Sequence, residues 1–405
     1  MVRSIVDMTY YQTTIQSLQR TIYRRGINYD LTHVKSVLSG LNDPHLDLPP
    51  IIHVAGTNGK GSTIAFLEGL LLENGYSVGK YTSPHIDSYR ERIQINQEWI
   101  SEDDFVTYFN QLESLDTRRI DDPLTEFEKL TIMMFLYFRN KQPDYILLET
   151  GLGGRLDATN VVAPIASIIT SIGHDHGDIL GSSLPQISVE KAGIIKPKIP
   201  VITCTQTPDV MDVIQATARS HRSPLIIAPP LNLPPQSSLQ GSYQCINYGM
   251  AVETLNGLNI PLNTPISGHK ITCWGRFTVI QNNHYQQVQT IVIDAAHNGP
   301  GIYALLDALK IQFPTQDYRP HILCGFLKRK DISESIYPLS SAAEQLYYCP
   351  FSDEAHRWET VSALVPIAQK WCITDSLPKA SLLVITGSIY FLSQVKEKLS
   401  FETCL

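Results

Sequence analysis

The stretch Ile51-Ile52-His53-Val54-Ala55-Gly56-Thr57-Asn58-Gly59-Lys60-Gly61-Ser62 decides how this chain is read. An apolar run reads as a strand and stops at a glycine-rich turn. A lysine and a small hydroxyl follow, and a helical pattern begins at Ile64, Leu67 and Leu71. Such a turn presents backbone N–H groups at a helix N-terminus, where the positive end of the helix dipole also points. Its glycines let the backbone approach a phosphate, its lysine reaches the outer oxygens, and its hydroxyl can hold Mg²⁺. The pattern points to a bound nucleoside triphosphate. The strict motif places Ser or Thr directly after Gly-Lys, and Gly61 intervenes here, so an ordinary strand–turn–helix remains the alternative at this point.

Outward from that loop, strand-like runs alternate with helical patterns. Ile51–Ala55, Val78–Thr82, Tyr145–Glu149, Ile165–Ser171 and Val201–Thr205 read as strands, Ser62–Asn74 and Thr125–Asn140 as helices. The alternation predicts a parallel sheet covered on both faces. The proline-rich segment from Ala228 to Ser238 reads as a surface connection. From Thr290 the alternation restarts, with strands near 290–295, 321–325, 345–351 and 381–386, and predicts a second, smaller α/β domain.

Composition bounds the function. The 405 residues suit two domains with ample core. A formal net charge of −7 argues against a nucleic-acid surface, and Arg20, Arg24 and Arg25 read as a solvated helix face. No apolar run approaches the roughly 20 residues of a membrane span, and the first residues lack the apolar core of a signal peptide. Seven scattered cysteines, never spaced as CxxC, suggest reduced thiols, a cytoplasmic setting and no zinc site.

Other short patterns carry less. Gly75-Tyr76-Ser77-Val78-Gly79 has the spacing of a nucleophile elbow, but it follows a helix and enters a strand, the reverse of what the elbow needs. Gly151-Leu152-Gly153-Gly154 follows a strand, yet Leu156 occupies the third glycine position of a dinucleotide loop. His174-Asp175-His176 reads as a metal cluster or as a loop of satisfied polar groups, and it lies just beyond a strand, at the sheet edge where ligands bind in open α/β folds. Glu149 also ends a strand, where a carboxylate can hold Mg²⁺. By composition alone, Lys191 is merely a lysine near an apolar turn.

Taken together, these residues resemble the folylpolyglutamate synthase and dihydrofolate synthase family of the Mur ligase superfamily. The resemblance rests on Gly56–Ser62, Thr82-Ser83-Pro84-His85, Glu91-Arg92-Ile93, Thr125-Glu126-Phe127-Glu128 and Glu149–Asn160. It continues through Asp175-His176, Leu180-Gly181, Glu190–Lys196, Gln244 and Asn247, Gly275-Arg276, Asp294–Asn298 and Thr386-Gly387-Ser388. The matches are ordered and span roughly residues 50 to 390.

The resemblance implies an α/β fold: a P-loop-containing Mur-ligase-type ATPase domain over residues 1–273 and a smaller Rossmann-like glutamate-ligase domain over residues 274–405. Thr57, Asn58, Gly59, Lys60, Gly61 and Ser62 would cradle ATP, with Asn247 toward the adenine and Arg276 and Asp294 as further nucleotide contacts. Ser83, Glu149 and His176 resemble the ligands of a first Mg²⁺, and Lys191 the carbamylated lysine of a second. His297 resembles the histidine near the acyl phosphate. Thr125, Glu126, Phe127 and Glu128, with Leu156, Asp157 and Ala158, resemble the pterin-binding segments. The implied substrates are ATP, L-glutamate and dihydropteroate or a reduced folate, and a monomer is expected.

Some positions depart from the family pattern. Trp274 and Gly299 replace prolines, Arg329-Lys330-Asp331 replaces an Asp-Lys-Asp segment, and the stretch before Leu239-Gln240-Gly241 is short. They bear on local loop geometry and on the glutamate pocket. Other readings are a Mur-type cell-wall ligase, disfavoured because only about 50 residues precede the phosphate loop, and a catalytically silent nucleotide-binding protein, disfavoured by intact Lys60, Glu149, His176 and Lys191.

Overall fold

The structure is a computed structural model that describes residues 9–19, 30–115, 124–234, 237–262, 271, 273–281, 288–314, 319–328 and 331–399. Eight strands form the first sheet: β1 (Ile51–Ala55), β2 (Val78–Tyr81), β3 (Ile93–Ile95), β4 (Glu98–Trp99), β5 (Tyr145–Glu149), β6 (Ala166–Ile169), β7 (Val201–Thr203) and β8 (Leu225–Ile227). Their order is β4-β3-β2-β5-β1-β6-β7-β8. Pairing is parallel except between β2 and β3 and between β3 and β4.

Strand β1 is central and buried throughout. Ile51 joins Tyr81, Phe105 and Phe135 on one face, while Ile52 and Val54 join Phe66, Leu67 and Ile168 on the other. A continuous apolar run is what a sheet covered on both faces demands. The helix Lys60–Glu73 is buried from Ser62 to Leu72, because it lies between the sheet and the helix Ser242–Gly257. A helix apolar all round must be enclosed in this way.

The proline-rich segment expected at the surface is only partly there. Ala228 and Ser237 are buried, and a Cβ on Gly249 would stand 1.9 Å from the Pro229 carbonyl oxygen. The segment runs against the helix Ser242–Gly257, whose glycine admits it. Arg20, Arg24, Arg25, Arg329, Lys330 and Cys404 lie outside the described residues.

The second sheet holds β9 (Thr278–Gln281), β10 (Val288–Asp294), β11 (His321–Gly325), β12 (Gln345–Tyr348), β13 (Gln369–Lys370) and β14 (Ala380–Gly387). Its order is β13-β12-β11-β14-β10-β9, parallel except for β9 against β10. It too has a core on each face. The molecule is thus α/β with two mainly parallel sheets. Among the described residues, no helix is long and apolar enough to cross a membrane. Cys204, Cys245, Cys273, Cys324, Cys349 and Cys372 are free thiols.

Candidate active site

Register places the site. Val54 pairs with Glu149 and Ala55 with Ile169, so the carboxyl ends of β1, β5 and β6 open onto one edge. Open α/β sheets bind ligands at that edge. The loop after β1 is fastened to the end of β6. Thr57 and Asn58 N–H groups donate to the Ser171 carbonyl at 2.8 and 3.3 Å, and the Thr170 hydroxyl donates to the Asn58 carbonyl at 2.7 Å. The Thr57 hydroxyl donates to the Gly173 carbonyl and accepts from the Gly173 N–H, both at 3.1 Å. Gly59 caps the helix with φ 93°, and a Cβ there would stand 2.4 Å from Asn247 Oδ1. Asn247 thus packs on the loop, and its Nδ2 donates to Gln244 Oε1 at 2.9 Å. The Ser62 hydroxyl, read from the pattern as a Mg²⁺ holder, is buried and accepts from Gln244 Nε2 at 3.2 Å.

Lys60 Nζ donates to the Gly56 carbonyl at 3.1 Å and lies 3.9 Å from Glu149 Oε1. Glu149 is 4 % exposed, and its Oε2 accepts from the Ser83 N–H at 3.1 Å. Burial raises its carboxyl pKa above the ordinary value, opposed by Lys60, the Ser83 N–H and Arg276. Lys191 is buried and its Nζ also donates to Gly56, at 2.8 Å. Arg276 lies near Asp294, Glu149 and Cys273, whose negative forms hold its pKa up against burial. Asp294 accepts from Tyr243 Oη at 3.1 Å and from the Phe277 and Ala296 N–H groups at 2.7 and 2.8 Å. Tyr243, from the helix Ser242–Gly257, thus joins the first sheet's helices to β10.

A second cluster forms around Asp175. Its Oδ1 accepts from the His176 N–H at 2.8 Å, and its Oδ2 lies 3.5 Å from His297 Nε2. His297 Nδ1 donates to the Ala295 carbonyl at 2.8 Å. His176 sits in the left-handed region with φ 52° and caps the short helix Gly177–Leu180. Sequence reading weighed Asp175 only within the His174-Asp175-His176 run and gave Asn298 no role of its own, yet both sit between the phosphate loop and His297.

The expected pterin segments divide. Thr125 and Glu128 form a capping box, with Glu128 Oε2 accepting from the Thr125 N–H at 2.7 Å, a role the T-x-x-E spacing itself signals. Glu126 accepts from Tyr89 Oη at 3.0 Å and pairs with Arg92 at 3.5 Å. The Phe127 ring packs on Gly151, where a Cβ would meet it at 2.5 Å. Both Asp157 oxygens are engaged, Oδ2 by the Gly151 and Leu152 N–H groups and Oδ1 by the Thr159 N–H and hydroxyl. Asp157 therefore shapes the glycine turn, flanked by Leu156 and buried Ala158. Nearby, His85 Nδ1 accepts from Arg92 Nε at 3.0 Å, and burial lowers its pKa to about 3. Trp274 lies beneath Lys396 at 4.9 Å, and Lys396 pairs with Asp87.

Among the described residues, no three His, Cys, Asp or Glu side chains are grouped to hold a metal by themselves. Mg²⁺ needs no such cage, since it is commonly held by one or two carboxylates with phosphate oxygens and water. A buried carboxylate beside the phosphate loop, with Ser83 against it, fits that donor set.

No protein-family model matches the chain. It is 32% identical to a dihydrofolate synthase/folylpolyglutamate synthase of Bacillus subtilis, over 96% of this chain and 99% of that protein. Among solved structures, the bifunctional folylpolyglutamate synthase/dihydrofolate synthase of Yersinia pestis superposes with a TM-score of 0.81 at 27% identity, covering 96% of this chain and 98% of that one. An FPGS–AMPPCP–folate complex superposes with a TM-score of 0.79 at 28% identity, covering 96% and 99%. With ordered motifs, a matching pair of sheets and full-length similarity, the chain belongs to the folylpolyglutamate synthase/dihydrofolate synthase family, of the Mur-ligase-type fold.

Proposed function

We propose that this ATP-dependent ligase joins L-glutamate to a folate-type carboxylate through an acyl phosphate, and that it accepts both dihydropteroate and tetrahydrofolate. The observation that supports the chemistry best is the meeting of Lys60, Glu149 and Lys191 around Gly56 at the carboxyl edge of the first sheet. Residues 1–273 would serve as the ATP-binding unit and residues 274–405 as the glutamate-ligase unit, working as a monomer in the cytoplasm.

A carboxylate is a poor acyl donor until one oxygen becomes a leaving group. An acceptor carboxylate oxygen attacks the γ-phosphorus, the bond to ADP breaks, and an acyl phosphate forms. The amine of L-glutamate then attacks the acyl carbon, sheds a proton, and displaces phosphate as the amide forms. Such phosphoryl transfer depends on positioning and charge neutralisation more than on a covalent side chain. Thr57–Ser62 would cradle the triphosphate, Lys60 and Arg276 would offset its developing charge, and Asn247 and Asp294 would hold the nucleoside. Two Mg²⁺ ions, when bound, would neutralise phosphate oxygens, the first held by Ser83, Glu149 and His176 and the second by Lys191 as a carbamate. Carbamylation replaces an N–H proton of neutral Lys191 with CO₂ and turns an amine into an oxygen ligand. His297, oriented by Ala295 and Asp175, would face the acyl phosphate. Glu126, Phe127 and the Leu156–Ala158 turn would seat the acceptor.

The test follows the oxygen. With ¹⁸O in the acceptor carboxylate, one label should appear in the released phosphate. Unlabelled phosphate would exclude the acyl phosphate route.

A further inference from the structure

Three segments distant in sequence meet at Asn298. This residue caps the helix Gly299–Gln312, its Oδ1 accepting from the Gly301 N–H at 2.9 Å. It also forms a reciprocal amide pair with the phosphate loop. Asn58 Nδ2 donates to Asn298 Oδ1 at 3.1 Å, and Asn298 Nδ2 donates back to Asn58 Oδ1 at 3.3 Å. The same Nδ2 donates to Asp175 Oδ2 at 3.0 Å, and that oxygen lies 3.5 Å from His297 Nε2. The side chain is buried, 7 % exposed. Beside it, Gly173 packs closely against Pro300: a Cβ would stand 3.0 Å from Pro300 Cγ, tighter than an ordinary contact.

Capping asks only for an oxygen, which serine or aspartate supplies. Asparagine adds an amide that donates and accepts in one plane. Here the acceptor reads Asn58, and the donor reads Asn58 and Asp175 together. Asn58 follows β1 of the first sheet, and Asn298 follows β10 of the second. The pair exists only when the second sheet's unit is seated on the first. We infer that Asn298 is a positioning residue for ligation, whose amide couples seating of the C-terminal unit to the shape of the phosphate loop and, through Asp175, to the orientation of His297. The loop is then complete only when the site is closed, which protects an acyl phosphate from water. This inference rests on the ligase reading above.

Two substitutions separate the roles. Asn298→Ser keeps a capping oxygen and removes the amide, while Asn298→Ala removes both. The serine variant should melt within about 2 °C of the unchanged protein. Its kcat should fall about tenfold or more, with the KM for ATP moving less than about threefold. Small-angle scattering with AMPPCP should give a larger radius of gyration for Asn298→Ser than for the unchanged protein. Asn58→Ala combined with Asn298→Ser should be no worse in kcat than Asn298→Ser alone, because the serine variant already lacks the pair. A serine variant with unchanged kcat would reduce Asn298 to a cap and overturn the inference. So would a fall in kcat with an unchanged radius of gyration. If the unchanged protein showed no ligase turnover, the functional reading would fail, while the scattering comparison would still decide the coupling.

Discussion

The ammonium groups of Lys60 and Lys191 both donate to the Gly56 carbonyl oxygen, at 3.1 and 2.8 Å. One comes from the first turn of the phosphate-loop helix, the other from the last turn of the helix Leu184–Ala192. Two like charges on one carbonyl repel, and Glu149, 3.9 Å from Lys60, offsets the charge of that lysine. On the proposed chemistry the two lysines have different tasks: Lys60 would offset phosphate charge, while Lys191 as a carbamate would become an oxygen ligand.

Lys60→Ala should therefore lower turnover by about 10²-fold or more while leaving the circular dichroism spectrum unchanged. Activity retained in that variant would refute the phosphate-loop role. Lys191→Ala should lose most activity as well. Removing bicarbonate and CO₂ should slow the unchanged enzyme and leave any residual Lys191→Ala rate as it was. An unmodified lysine that suffices would make the unchanged enzyme indifferent to bicarbonate.

Gly151→Ala separates acceptor binding from ATP binding. Gly151 has no need of a left-handed backbone, so the cost is steric: the new Cβ would fall 2.5 Å from the Phe127 ring. Overpacking of this kind costs about 1–3 kcal/mol and displaces the ring. The KM for the folate-type acceptor should rise several-fold while the KM for ATP holds. A lowered melting temperature with both KM values unchanged would make Phe127 a packing residue only.

His53 gives a pH signature of stability. It sits in the middle of β1 with no exposure, and its Nε2 meets Thr159 Oγ1 at 2.9 Å. Burial, with a smaller effect from Lys196, lowers its pKa to about 3. The unfolded chain takes up a proton near pH 6.5 and the folded chain does not. The contribution is therefore complete above pH 6.5 and is lost as pH falls toward 3, at roughly 1.4 kcal/mol per pH unit. In urea titrations between pH 7.5 and 5, His53→Gln should show a shallower loss of stability than the unchanged protein. Equal slopes would remove His53 from the account of acid sensitivity.

The central strand and its loop were legible because β1 is buried on both faces and reads as one apolar run. The strand expected over 165–171 ends at Ile169: the Thr170 N–H still reaches the Ala55 carbonyl of β1 at 2.8 Å, while the Thr170 hydroxyl and the Ser171 carbonyl bond the phosphate loop. The antiparallel pair β3–β4 escaped notice. Its strands have three and two residues, and its turn holds Asn96 and Gln97 at φ 53° and 69° without the glycine that marks most such turns. Lys191 carried no local signal at all; only the resemblance singled it out, and only the fold brings it to Gly56, 135 positions away. Asp175 and Asn298 are 123 positions apart, so no pattern within a window could join them. Thr125 and Glu128 show the opposite case, where a capping spacing was present and the capping box formed.

The most direct test of the central claim is phosphate release with ATP, Mg²⁺ and L-glutamate, comparing dihydropteroate with tetrahydrofolate. The account predicts turnover with each acceptor, dependent on all three co-reactants. Turnover with one acceptor alone would contradict the dual specificity, and silence with both, in a folded protein that binds ATP, would contradict the ligase assignment itself.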